Sequence, residues 1–125
     1  MTIAYWSVLA TVIMPLLLAG IAKTGTGRRY DNHKPRDFLA TLQGYQQRAN
    51  WAQQNAYEAF PPFAAAVIIA HQLDLAQATL DTYALTFVAA RVLYSLCYIM
   101  DWALLRSLAW TLGFACVIGL FVAAA

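Results

Sequence analysis

Apolar positions run almost unbroken over residues 3–22, 82–100 and 103–124, and each stretch has the length of about 20 residues that a helix needs to cross a bilayer. The region from about 38 to 70 is patterned differently. Its first half is amphipathic, carrying "RANWAQQNAYEAFPPF" at 48–63, and its second half is apolar but interrupted by Pro61 and Pro62. The pattern predicts an all-α integral membrane protein, a four-transmembrane-helix bundle, as a single domain over 1–125. The N-terminal stretch lacks the basic start and small-residue cleavage site of a signal peptide, so it reads as a retained first helix.

The connections set an orientation. The one after the first span carries Arg28, Arg29, Lys34 and Arg36 against Asp31 and Asp37, whereas "HQLDLAQATLD" at 71–81 has two aspartates and no lysine or arginine. The positive-inside rule puts the basic loop in the cytoplasm, the acidic one opposite, and both termini on the outer side.

Composition agrees with this reading. Hydrophobic residues make up 62% of the chain and charged ones 11%, far below the roughly 25% charged residues of a soluble domain. A net charge of +2 without a long basic run argues against a nucleic acid partner. Cys97 and Cys116 lie within apolar stretches and read as small buried hydrophobes. His33 and His71 fall on opposite sides of the membrane, so no metal site is expected.

An ionisable group inside a span costs about 2.5 to 3.5 kcal/mol on insertion scales and usually faces a partner or a wet cavity. At 100° per residue Arg48, Asn55 and Glu58 share an arc of about 80° on the second span. On the third, Arg91, Tyr94, Tyr98 and Asp101 do the same. The simplest pairing sets Glu58 directly against Arg91, either as an interhelical lock or as part of a binding site. Arg106, followed by Ser107, opens the fourth span. It reads either as a cytoplasmic anchor or, beside a helix N-terminus, as a doubly positive spot suited to a thiolate.

Taken in order, "RANWAQQNAYEAFPPF", "ARVLYSLCY" and "LRS" on successive spans resemble the MAPEG family, membrane-associated proteins in eicosanoid and glutathione metabolism. The resemblance covers most of the chain, and its short length is similar to that of bacterial members, which would place it in the inner membrane. It implies a homotrimer with glutathione as co-substrate between subunits and a lipophilic small-molecule substrate entering from the lipid bilayer. It further implies that Arg48, Gln53, Asn55, Glu58, Arg91, Tyr94 and Tyr98 hold glutathione, and that Arg106 and Ser107 act on its thiol. One position departs: Trp51 stands where the family's glutathione users usually carry a second arginine, and an indole offers no fork for a carboxylate.

The activity implied is a glutathione-dependent transferase or peroxidase acting on lipophilic electrophiles or lipid hydroperoxides. The rival reading is a non-catalytic trimeric scaffold or lipid-binding protein whose polar stripes only fix helix packing. A four-span proton-coupled exporter fits poorly, because the first span carries no acid to titrate.

Overall fold

The structure, a computed structural model, describes Met1–Ala125. It is all-helical. The elements are α1 (Ile3–Ala22), α2 (Pro35–Ala40), α3 (Gly44–Gln72), α4 (Gln77–Ile99) and α5 (Ala103–Ala124), with one 3-10 turn at Gly27–Arg29. Three of them, α1, α4 and α5, are long and apolar enough to cross a membrane. The longest, α3 with 29 residues, is not among them, since its first half carries the polar residues of the 48–58 stretch.

Two expectations for the second span need correction. Its helix does not start near Phe38: α2 stops at Ala40, Gln43 is extended, and Gly44 takes a φ of +62°, a left-handed value that glycine adopts without strain. Pro61 and Pro62 do not break it either. Each withholds one donor from the carbonyl four residues back, yet Phe63, Ala66, Val67 and Ala70 are buried against neighbouring helices and hold the register.

The two tight turns share a device. Asp74 and Asp101 both take left-handed φ values, 57° and 63°. Around them the Leu75 N–H reaches the Ala70 carbonyl at 3.1 Å and the Trp102 N–H reaches that of Cys97 at 2.8 Å. These are the six-to-one bonds of a Schellman motif, which ends a helix and reverses the chain within a few residues. The acidic connection is therefore shorter than its composition suggested, and α4 starts at Gln77 rather than near Thr82.

The main core joins α3, α4 and α5 through Phe63, stacked on Phe87 with ring centroids 3.9 Å apart. Around the rings sit alanines, which let backbones approach closely where burial alone does not drive helices together in lipid. Both cysteines are free and buried.

Asp81 has a role its position in an acidic stretch concealed. Its Oδ1 accepts from the backbone N–H of Ala4 at 2.9 Å and from Gln77 Nε2 at 2.6 Å, so a side chain of α4 caps the start of α1. Asp81→Ala is expected to lower the unfolding free energy by about 1 kcal/mol, with Asp81→Asn keeping most of it, as read from thermal unfolding in detergent.

Candidate functional site

The polar stripe of α3 faces α4 and the first turns of α5. Arg91, only 3% exposed, donates from Nη2 to Asn55 Oδ1 at 2.8 Å. Asn55 in turn donates from Nδ2 to Glu58 Oε2 at 3.0 Å. The expected direct Glu58–Arg91 contact is thus replaced by a relay through Asn55. The reason is local: Asn55 lies one turn before Glu58 on the same face, and its amide can accept from a cation and donate to an anion at once.

Aromatic rings continue the arrangement. The Arg91 guanidinium carbon lies 4.2 Å from the Tyr94 ring centroid and that of Arg106 lies 4.4 Å from the Tyr98 centroid. The two tyrosines meet edge to face, with centroids 5.6 Å apart. Two cations and two phenols therefore form one continuous surface along α4 and the start of α5. Ser107 is exposed beside Arg106, and its Oγ donates to the Ala103 carbonyl at 3.1 Å within its own helix, so its proton is engaged while its oxygen can still accept.

Three cavities meet at Asn55. One of about 220 Å³ runs from Glu58 and Arg91 to Trp110, Gly113 and Phe114. Another of about 370 Å³ lies between Trp51, Glu58, Tyr94 and Tyr98. The third, about 220 Å³, is bounded by Tyr94, Arg106, Ser107, Trp110 and Thr111. A ligand seated here meets a carboxylate at one end and a guanidinium at the other. The lining thus offers an acceptor for an ammonium and a donor for an anionic group.

Two sequence-predicted residues stand apart. Arg48 lies two turns before Asn55, where its Nε donates to the Ile99 carbonyl at 2.9 Å and so caps the end of α4, a favourable place for a cation. Gln53 is rotated about 160° from Asn55 around α3. Its buried Oε1 has no partner, and it borders a separate cavity of about 570 Å³ with Arg36, Asn50 and Gln54. Trp51 borders both this cavity and the one beside Tyr98, its ring tilted 49° against Tyr98 with centroids 6.3 Å apart.

Sequence reading puts Arg106 and Ser107 of α5 in the site but does not single out the rest of the α5 wall. Trp110, Thr111 and Gly113 look lipid-facing in the sequence, although they follow Arg106 and Ser107 at the spacing of three and four that marks one helix face. At Gly113 the helices come close: a Cβ there would stand 3.6 Å from Arg91 Cδ. His, Cys, Asp and Glu side chains nowhere gather in threes as a metal would need.

The family model described as the MAPEG family matches residues 3–125. No curated protein and no solved structure matches the chain.

Proposed function

The chain belongs to the MAPEG family, and from that premise we propose that it is a glutathione-dependent transferase or peroxidase of the membrane. The observation that carries this reading is the Arg91–Asn55–Glu58 relay, set beside Arg106 in open cavities. Glutathione is a zwitterion with two carboxylates, one ammonium and a thiol. Glu58 is exposed and accepts the ammonium, while Arg106 sits beside the thiol.

In this reading Arg106 and the leading N–H groups of α5, which no side chain caps, stabilise the thiolate. The thiol proton leaves to water and the sulfur attacks the electrophile. Against an electrophilic carbon a C–S bond forms and the leaving group departs. Against a hydroperoxide the O–O bond breaks, the alkoxide takes a proton from water to leave as the alcohol, and the sulfenic acid formed on the sulfur condenses with a second glutathione thiol to the disulfide and water. Arg91, Tyr94, Tyr98 and Asn55 orient the peptide. Arg48 and Gln53 lie away from this surface in one subunit, and in the proposed homotrimer they belong to a neighbour's site. The subunit spans the membrane four times with the basic loop inside, and the lipophilic substrate arrives through the bilayer.

Isothermal titration of the detergent-solubilised protein with glutathione tests the proposal. Binding in the micromolar to millimolar range is expected, and it should be lost in Asn55→Ala. No heat and no thermal stabilisation at millimolar glutathione would overturn it and leave the scaffold reading in front.

A further inference from the structure

A groove of about 470 Å³ runs between α1 and α4, on a different face from the Asn55 cavities. Its walls are apolar: Met14, Leu17 and Ile21 on one side, Val92, Leu96 and Ile99 on the other. Both helices are long and apolar enough to cross a membrane, so the groove lies at hydrocarbon depth.

What closes its end gives the occupant's chemistry. Ile21 and Ile99 pack with Phe38 and Leu39 around buried Leu42. Phe38 meets Tyr30 edge-on, with centroids 5.3 Å apart, and the Lys23 ammonium lies 4.5 Å from the Tyr30 centroid. Arg28 and Arg29, both exposed, directly precede Tyr30. The apolar channel thus ends where Lys23 lies over Tyr30, in a connection that also carries exposed Arg28 and Arg29 against the single acid Asp31.

We propose that this is a binding site for one anionic phospholipid, with an acyl chain in the α1–α4 groove and the phosphate among Lys23, Arg28 and Arg29. Charge complementarity at the end of the groove selects the anionic headgroup, and each basic residue near such a headgroup contributes about 1 kcal/mol. The site is independent of glutathione binding. It assigns the basic loop a ligand beyond its part in setting orientation.

Native mass spectrometry of the intact oligomer tests this, with phosphatidylglycerol, phosphatidylcholine and inorganic phosphate offered in turn. The expected result is retention of phosphatidylglycerol, with the preference over phosphatidylcholine reduced about tenfold or more in the Lys23→Gln, Arg28→Gln, Arg29→Gln variant. Val92→Trp and, separately, Leu17→Trp fill the groove from opposite walls at exposed positions, and each should abolish retention without changing the oligomer's mass. Equal retention of the two lipids overturns the proposal. So does retention of inorganic phosphate alone, retention undiminished by both tryptophans, or a change of oligomeric state in either, which would make the groove a contact between copies of the chain.

Discussion

Arg106→Gln is expected to lower glutathione-dependent turnover by about 100-fold while leaving the unfolding midpoint nearly unchanged, with conjugation of a lipophilic electrophile and thermal unfolding measured on the same preparation. The stability half of the expectation follows from the contacts. The guanidinium lies over the Tyr98 ring and hydrogen-bonds to no side chain or carbonyl of the protein, so glutamine strands no buried partner. The activity half follows from charge. A cation at the first turn of α5 adds to the partial positive charge of the helix start, and both favour a thiolate over a thiol. On the proposed reading a smaller fraction of bound glutathione should be ionised at neutral pH without Arg106, so the gap between variant and wild type should narrow as pH rises. A gap that stays constant with pH would mean that Arg106 holds the peptide without acting on its sulfur. An Arg106→Gln protein with full turnover would remove the residue from the chemistry altogether.

The parts legible in the sequence are those where one physical signal dominates. Hydropathy places α1 and α5 to the residue and α4 to within a few, because lipid-facing helices carry uninterrupted apolar runs. The 100° rule gathers Asn55 and Glu58 on one face and Arg91, Tyr94 and Tyr98 on another, and the structure brings those two faces together. Tertiary contacts are less visible. Periodicity says which face a side chain occupies but not how far it reaches, so it matches Arg91 to the opposite charge rather than to the amide one turn away. It also says nothing about position along the axis, which is why Arg48 joins the stripe on paper but caps α4 in space. The helix start at Gly44 depends on one left-handed residue, and the Asp81 cap on a contact between chain segments far apart in sequence. Trp110 and Gly113 are hidden for the opposite reason, since in an apolar span a cavity wall and a lipid face have the same composition.

A second large effect is expected at Asn55, where stability and binding can be separated. Asn55→Asp keeps an acceptor for Arg91 but replaces the donor facing Glu58 with a second carboxylate oxygen, at a place where the present separation is 3.0 Å. Two like charges at that distance, beside a buried guanidinium, should cost about 2 kcal/mol of unfolding free energy, moderated because Glu58 is exposed. Adding Glu58→Gln reverses the polarity of the relay: the carboxylate now at position 55 accepts from Arg91 on one side and from the new amide on the other. The double variant should therefore recover most of the lost stability, giving a coupling of about 1 to 2 kcal/mol in the double-mutant cycle. A double variant no more stable than Asn55→Asp would show that the relay does not hold α3 to α4. Glutathione binding should not return with stability, because the rescued protein has moved its carboxylate from Glu58 to position 55, where the Arg91 guanidinium compensates the charge before the ligand's ammonium arrives. If titration shows binding restored along with stability, Glu58 is not the group that receives the ammonium, and Asn55 serves the site only by keeping the two helices in place.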